Sequence, residues 1–425
     1  MALVRNASIL FVCTMAGNFS NYCFQFLMGR QLSLDDYGTM NALLSVVTSI
    51  TLPAGAIMIV LAKYSSIYSV KNKEAAMGSL YAGSLKRIGA AAIAAALLFM
   101  SLSWFIKDYL RVAEISSVLL LAIGIFGSFI MAVNLGLLQG MQRFYYLGVG
   151  IGLGGILRLL LGAVFILIGF GLNGAIAATV LPSVFIFLIT LKPLKAYLNS
   201  NSASFRHEGI FKYSVPVLAS SVAFAFLSNI DLIMIKHYFT PEAAGLYSSV
   251  AVLGKTLLYL PSSFALAVFP MVTEADAING DFFKILDKAL IFAIGLCSAG
   301  VFVFALVPEL IISLLFGARF SEAAEFLKYY GAAMSFMAVL SILISFNLAR
   351  NKTGFIYSLG AGSLLMVSAI ALFHSNIKEV LISITAVLLL TAAFNLWLVY
   401  RDRQEYYRLR DCGLCRTDEP GAGFE

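Results

Sequence analysis

Hydrophobic residues occupy this chain in long blocks, and short polar segments separate each block from the next. A helix that crosses a bilayer needs about 20 apolar residues. Twelve windows of that kind fall near 7–28, 38–62, 81–106, 115–137, 146–169, 173–191, 213–235, 244–270, 287–308, 327–349, 354–374 and 379–400. The pattern therefore predicts an all-α polytopic membrane protein with about twelve transmembrane helices.

The first window has a second interpretation. Arg5 ahead of an apolar run is typical of a secretory signal peptide. However, Asn18, Asn21 and Gln25 follow without a small-residue cleavage motif, and further windows come later. We expect this run to be the first transmembrane helix.

Composition and charge support a membrane protein and predict its orientation. The chain is 60% hydrophobic and 12% charged, whereas a soluble domain carries about 25% charged residues. With the N-terminus inside, the cytoplasmic segments hold 20 basic residues and the outer segments 7. Positive charge accumulates on the cytoplasmic side, so we expect a multi-pass protein of the cell (inner) membrane with both termini cytoplasmic. The net charge of +7 then reflects topology and contact with membrane lipids, and it predicts no nucleic-acid partner.

The two halves of the chain carry a similar stretch, offset by 207 residues. Three pairs coincide in "LSLDDYGTMNALLSVVTSITLP" and "FTPEAAGLYSSVAVLGKTLLYLP": Ser33 with Thr240, Asp35 with Glu242, and Gly38 with Gly245. Each stretch has helix-start chemistry, a cap with Asp36 in one and Pro241 at the first helical position in the other. Because each opens the second helix of a six-helix set, the halves are predicted to be parallel repeats.

This symmetry predicts two six-helix bundles and a domain plan. An N-terminal lobe covers 1–197, a polar cytoplasmic linker 198–212, a C-terminal lobe 213–400 and a basic tail 401–425. The prolines Pro53, Pro182, Pro216 and Pro261 interrupt apolar runs and are expected to bend helices.

Apart from the charged residues near the window ends, which belong with the cytoplasmic and outer segments, Arg158, Asp231 and Lys255 lie inside predicted spans. A charge at the bilayer centre costs about 2.5–3.5 kcal/mol on insertion scales, so it marks protein contacts or a water-filled cavity. Asp231 and Lys255 form a candidate ion pair, which would make both structural. One acid cannot neutralise two cations, so we favour a hydrated cavity of positive potential that receives an anionic substrate.

Uncharged polar residues form stripes in the same helices. Thr14, Asn18, Asn21 and Gln25 recur at helical spacing in the first window, and Ser214, Ser221 and Ser228 precede Asp231 in the seventh. The eighth carries Ser248, Lys255, Tyr259 and Ser262. Such stripes serve either interhelical hydrogen bonds or the lining of a cavity.

Several motifs predict no chemistry. Gly150, Gly152 and Gly155 match G-x-G-x-x-G, but the motif lies in a membrane helix without the strand that a dinucleotide site needs. These glycines are expected to allow close helix packing. The three histidines are scattered and no P-loop occurs, so we expect no metal site, no ATPase and no enzyme. Cys412 and Cys415 are a lone C-x-x-C pair whose role stays open.

The chain resembles a known family. The resemblance is carried by "GRQLSLDDYGTMNALLSV" (29–46), "GLLQGMQRFYYLGVGIGLGGILRLLLGAVFILIGFGLNGA" (136–175) and "NIDLIMIKHYFTPEAAGLYSSVAVLGKTLLYLPSSFALAVFPMVTEA" (229–275). These segments are similar to the polysaccharide-export flippases of the multidrug/oligosaccharidyl-lipid/polysaccharide (MOP) exporter superfamily.

The resemblance implies a V-shaped pair of lobes with alternating access. It implies transfer of polyprenyl-diphosphate-linked oligosaccharides to the outer leaflet, alongside other polysaccharide-assembly proteins. It maps a cationic cavity onto Arg158 and Lys255, with Arg30 and Arg143 as gate or entry contacts, and Asn21 and Gln25 join this predicted substrate site. Asp231 is the candidate for coupling or gating through protons or sodium. The lipid II flippases of the superfamily carry two further helices, so that branch is disfavoured.

Two alternatives remain open. A drug or metabolite exporter uses the same scaffold, although exporters of organic cations need acidic cavities. An integral-membrane polysaccharide polymerase or ligase is the second, although the outer loops of about 20 residues leave little room for a catalytic domain.

Overall fold

A computed structural model describes residues 2–70, 74–199, 208–277, 281–350 and 352–411. Every regular element in these ranges is helical. The N-terminal half contains α1 (Ala2–Gln31), α2 (Leu34–Thr51), α3 (Pro53–Val70), α4 (Glu74–Ser101), α5 (Ser103–Tyr109), α6 (Ile115–Gly140), α7 (Phe144–Leu167) and α8 (Gly171–Leu191). The C-terminal half contains α9 (Glu208–Tyr238), α10 (Pro241–Ala277), α11 (Phe282–Leu306), α12 (Pro308–Phe316), α13 (Ala324–Ala349), α14 (Phe355–Leu372) and α15 (Ile377–Asp411). Short 3-10 helices cover Lys192–Asn199 and Ala318–Ala323.

Each of the twelve predicted windows falls on a long helix or, for the second window, on α2 and α3 together. In the described part of the chain, 11 helical stretches are long and apolar enough to cross a membrane. The first helix, α1, is 30 residues long but is not among them. Its row of polar residues, which includes Asn18, Asn21 and Gln25, lowers its mean hydropathy.

The prolines act differently in different helices. Pro53 separates α2 from α3, so the second span is broken near its middle. Pro182 and Pro216 lie inside α8 and α9, which continue past them.

The packing of the helices repeats between the two halves. In the first half α1 packs on α7, α3 and α4 on α6, and α8 on both α6 and α7. In the second half α9 packs on α14, α10 and α11 on α13, and α15 on both α13 and α14. When the six spans of each half are numbered in chain order, with α2 and α3 together as the second span, the same pairs pack in both halves: 1 with 5, 2 with 4, 3 with 4, 4 with 6, and 5 with 6. This agreement confirms the predicted six-helix repeats.

Matching caps begin the second span of each half. The Ser33 hydroxyl accepts a hydrogen bond from the Asp36 backbone N–H at 3.0 Å and donates to the Asp36 carboxylate at 2.9 Å. The Thr240 hydroxyl accepts from the Ala243 backbone N–H at 3.3 Å. Both caps satisfy N–H groups that a helix start leaves unpaired.

The lobes meet chiefly where α2 packs against α9 and α10. The side-chain contacts that cross between them cluster at the predicted outer end, and Lys236 of α9 forms an ion pair there with Asp35 of α2. Two short helices, α5 and α12, also lie at this end. Neither was predicted as a separate helix, because each is shorter than a membrane span.

Most of the predicted linker, 198–212, falls on residues 200–207, which lie outside the described ranges. The same is true of the tail beyond residue 411, which holds Cys412 and Cys415.

Candidate functional site

Glycines bring α1 and α7 into close contact in the N-terminal lobe. A Cβ on Gly17 would lie 3.0 Å from the Cα of Gly152, and a Cβ on Gly155 would overlap the carbonyl oxygen of Gly17. The G-x-G-x-x-G motif therefore serves helix packing, as predicted. Since the two backbones nearly touch, the residues that follow on each helix are held in a fixed relation.

Arg158 on α7 faces α1 just beyond this contact. Its guanidinium donates to the Asn21 side-chain oxygen at 3.4 Å and lies 4.3 Å from the centre of the Phe24 ring. Its Nε is buried and has no hydrogen-bond partner. A guanidinium has five N–H donors, and here one of them forms a long hydrogen bond while the group packs on an aromatic ring. Arg158 therefore keeps donors that could bind an anion.

Lys255 lies about 21 Å along α10 from its first residue, at the helical rise of ~1.5 Å per residue. Its ammonium donates to the Asn229 side-chain oxygen on α9 at 2.9 Å. The candidate ion pair with Asp231 does not form, although the two charges are close enough to interact electrostatically. Asn229 keeps its own amide group bound to the Ala225 carbonyl oxygen at 2.8 Å, which fixes its oxygen toward the lysine.

One interaction between tyrosines crosses the lobe boundary near the two cations. Tyr22, next to Asn21 on α1, interacts electrostatically with Tyr259, which lies one turn after Lys255 on α10. Tyr259 is 54% exposed, so its side chain is not enclosed by the packing of its own lobe. Arg158 and Lys255 thus lie in opposite lobes, each on or beside a helix that carries one of these two tyrosines.

The hydrogen bonds offset only part of the cost of these charges. Among the described residues, neither Arg158 nor Lys255 belongs to an ion pair. A hydrogen bond to a charged group contributes about 1.5–3 kcal/mol, against about 2.5–3.5 kcal/mol or more for a central charge. Water or an anionic ligand between the lobes would supply the difference.

Asp231 occupies a separate, closed environment in the C-terminal lobe. Its Oδ2 accepts hydrogen bonds from the hydroxyls of Tyr247 at 2.8 Å and Tyr330 at 2.9 Å, while Oδ1 is buried without a partner. Asp231 is 2% exposed and both tyrosines are fully buried. A Cβ on Gly254 would overlap the Tyr330 ring, so this glycine makes room for the tyrosine to reach the carboxylate.

The remaining predicted site residues lie apart from these clusters. Gln25 accepts a hydrogen bond from the Tyr37 hydroxyl at 3.3 Å, on the way to the predicted outer end. Arg30 lies at that end, and its Nε donates to the Leu315 carbonyl oxygen at 3.1 Å. Arg143 is exposed at the start of α7, at the opposite end of the lobe.

The serine stripes have a simpler explanation than a cavity lining. Ser228 and Ser248 donate to carbonyl oxygens one turn earlier in their own helices, at 2.9 Å and 2.8 Å. Each hydroxyl is therefore hydrogen-bonded within its own helix, and neither serine needs a hydrogen bond to another helix.

Sequence reasoning missed four partners of the charged residues: Phe24, Asn229, Tyr247 and Tyr330. Asn229 had a signal, since it stands two residues before Asp231 in "NIDLIMIK". The tyrosines had none, because Tyr330 lies 99 residues from Asp231 and only the fold joins them.

Comparison with known proteins supports this architecture. A family model described as "Polysaccharide biosynthesis protein" matches residues 3–276, which is more than half of the chain. The chain belongs to this family. It is a flippase family of the MOP superfamily, as the resemblance implied. Among curated protein sequences, none matches the chain.

Solved structures show that this family member has a MOP transporter fold. A multidrug resistance MATE family transporter in an inward-facing conformation superposes with a TM-score of 0.74 at 14% identity, over 97% of this chain and 100% of that chain. The lipid II flippase MurJ in an inward closed conformation gives 0.68 at 14% identity, over 93% and 87%. A MOP superfamily transporter from Pyrococcus furiosus gives 0.66 at 15% identity, over 97% and 96%. With 11 apolar helical stretches in the described ranges, the protein is a multi-pass membrane protein with the fold of these transporters and of this flippase.

Proposed function

We propose that this protein moves polyprenyl-diphosphate-linked oligosaccharide units from the cytoplasmic to the outer leaflet of the cell membrane. The units would then feed the synthesis of a surface polysaccharide. The observation that carries the proposal is the pair of cations inside the spans, Arg158 in one lobe and Lys255 in the other, which form hydrogen bonds to asparagines and no ion pair among the described residues. Family membership supports a lipid-linked substrate.

The diphosphate is the part of such a substrate that cannot cross a bilayer unaided. Moving its charges through about 30 Å of hydrocarbon would remove their hydration at a prohibitive cost. A guanidinium with a free Nε and an ammonium on the facing lobe replace that hydration with charge-assisted hydrogen bonds. The two cations would contact the diphosphate or acidic sugars during the crossing.

The prenyl chain needs a different environment. On α1, Val12, Met15 and Phe19 are 63%, 54% and 72% exposed and recur at helical spacing. This face is opposite to the glycine contact with α7. It offers the chain an apolar route beside the lobe boundary, so that the lipid tail stays in the membrane while the head group crosses.

Rocking of the lobes would exchange access between the two leaflets. The arrangement of the lobes in this structure is closed at the predicted outer end by α2, α9 and α10. A substrate held by Arg158 and Lys255 then leaves when the outer ends separate. No step in this cycle makes or breaks a covalent bond, so we assign the protein no catalytic residue.

Asp231 is the candidate coupling residue. A buried carboxylate with one unpartnered oxygen is poised to take up a proton or a sodium ion. Tyr247 and Tyr330 come from α10 and α13, so loading of Asp231 would change how three helices of the C-terminal lobe are held together.

Export of a drug or metabolite is the second candidate, since MATE transporters share the fold. The charges argue against organic cations as its substrates, because Arg158 and Lys255 outnumber Asp231, and the Asp231 carboxylate is buried and bound by two tyrosine hydroxyls.

Purified protein in liposomes separates the two. Proteoliposomes would receive either a fluorescent polyprenyl-diphosphate disaccharide or a cationic dye. We expect protein-dependent transfer of the lipid-linked sugar between leaflets and no dye transport. Dye transport without sugar transfer would overturn the proposal.

A further inference from the structure

Two arginines cross the lobe boundary in opposite directions at the predicted outer end. Arg30, near the end of α1, donates from Nε to the Leu315 carbonyl oxygen at 3.1 Å and from its terminal nitrogen to that of Leu314. Arg319, just after α12, donates to the backbone carbonyl oxygens of Gly29 and Leu32. Each side chain therefore ends on the C-terminal turn of a helix in the other lobe.

The carbonyl groups in the last turn of a helix have no partner within that helix and form the negative end of its dipole. A guanidinium carries several donors in a rigid fork, which suits two neighbouring carbonyl oxygens. Arg30 thus caps α12, and Arg319 caps α1. The arrangement is reciprocal, because neither helix end is capped in this way by its own lobe's arginine.

Aromatic side chains seal the space between the two caps. Phe316 is 1% exposed, and its ring lies 5.4 Å from the Phe26 ring in an edge-on contact. Tyr37 packs against both Phe316 and Phe320, at 5.8 Å and 5.7 Å. A Cβ on Gly29 would overlap the Phe316 ring, so α12 fits tightly onto the end of α1.

Two further contacts cross the boundary beside this seal. Lys236 is 1% exposed, and its ammonium pairs with Asp35 of the other lobe. His237 donates from Nδ1 to the Tyr109 carbonyl oxygen at 2.9 Å, since a carbonyl only accepts, and its ring stacks on Tyr109 at 3.9 Å. The outer closure therefore involves residues from α1, α2, α5, α9 and α12.

We propose that α12 and the 3-10 helix Ala318–Ala323 are the outer gate, and that Arg30 and Arg319 form a reciprocal clamp that holds it shut. Arg30 then acts on the conformational equilibrium and not on the diphosphate. When the lobes separate, outer water hydrates both guanidinium groups and the carbonyls they leave. The clamp is therefore reversible in every cycle. This inference rests on the alternating access of the proposed function but not on its substrate.

The test measures gate opening without any substrate. Ser45 is buried on α2, seven residues after Gly38 and hence on the same helix face, inside the seal. Ser45→Cys is introduced into a chain whose five native cysteines are replaced, and an impermeant maleimide is added from outside. We expect Arg30→Ala with Arg319→Ala to label several-fold faster than the parent.

The matched control also removes two positive charges from the predicted outer end, but at residues that do not cross the lobe boundary. Lys107 lies over the Trp104 ring and Lys328 over the Tyr329 ring, so each contacts its own lobe. Lys107→Ala with Lys328→Ala should label like the parent. Unchanged labelling in the inserted arginine variant would overturn the clamp.

If the alanine variant is not inserted, Arg30→Lys with Arg319→Lys keeps the charge and loses the fork. It should label at an intermediate rate, and a rate equal to the parent's would again overturn the clamp. Faster labelling of the arginine variant would support the clamp even if the parent protein failed to transfer the lipid-linked sugar. That second result would refute the flippase proposal alone.

Discussion

Gly38 and Gly245, the glycines that coincide in the two sequence repeats, face each other across the lobe boundary. A Cβ on Gly38 would lie 2.7 Å from the backbone nitrogen of Gly245. A Cβ on Gly245 would overlap the carbonyl oxygen of Leu34. The repeat symmetry thus brings two equivalent backbones into contact, and this contact sets how closely the outer ends approach.

Replacing either glycine should weaken the outer closure. Gly245→Ala places a methyl group against backbone that cannot move aside, and overpacking of this kind costs about 1–3 kcal/mol. We expect faster outside labelling of Ser45→Cys and slower substrate transfer. Gly55→Ala is the control, because a Cβ there meets nothing within 4 Å. Equal behaviour of the two variants would show that the glycine contact does not limit closure.

Lys255→Ala should impair transfer while the protein stays inserted. The variant loses a charge-assisted hydrogen bond to the substrate, worth about 1.5–3 kcal/mol, and hence about tenfold or more in affinity. Lys255→Arg keeps the charge and should retain most of the activity. The measurement is the concentration dependence of lipid-linked sugar transfer in proteoliposomes, and wild-type transfer by the alanine variant would remove Lys255 from the mechanism.

Alanine substitutions of Arg158 and of its neighbour Asn21 should reduce substrate transfer to different extents. Arg158→Ala removes a cation that faces the substrate, whereas Asn21→Ala removes one hydrogen bond of 3.4 Å that orients it. We expect severe loss of transfer in the first and a mild loss in the second, with both proteins inserted in equal amounts. A more severe defect in Asn21→Ala would mean that the amide, and not the guanidinium, binds the substrate.

Asp231→Asn tests coupling separately from binding. The amide keeps the size of the side chain but cannot take up a proton or neutralise a sodium ion. Transfer driven by an ion gradient should be lost, while exchange of substrate without a gradient should persist. Tyr330→Phe removes one donor at 2.9 Å and should weaken the gradient dependence only in part. Full gradient dependence in Asp231→Asn would exclude Asp231 as the coupling residue.

The spans and their repeat were predictable because long apolar blocks leave helices as the only way to satisfy the backbone in lipid. Gly38 and Gly245 occupy equivalent positions in the two similar stretches, so the repeat was visible in the sequence. The short helix α12 was not predictable in the same way. It has 9 residues, and it is held by contacts with α1 and α13 that only the folded chain provides.

The charged residues of the candidate site were predictable, but their partners were not. Arg158 and Lys255 stand out because a charge in a membrane span is rare. Lys236 directly follows the seventh predicted window and was not among the candidate residues, yet it is buried and pairs with Asp35 of the other lobe. That pair joins residues 201 positions apart, and nothing in either local sequence indicates it.

The proposed function requires that lipid-linked oligosaccharide crosses the membrane through this protein. Its most direct test is the leaflet location of that lipid in cells depleted of the protein, probed with an impermeant glycan label before and after permeabilisation. We predict label only after permeabilisation, because the units would be trapped on the cytoplasmic face. Normal labelling of intact cells that hold no second flippase would contradict the claim.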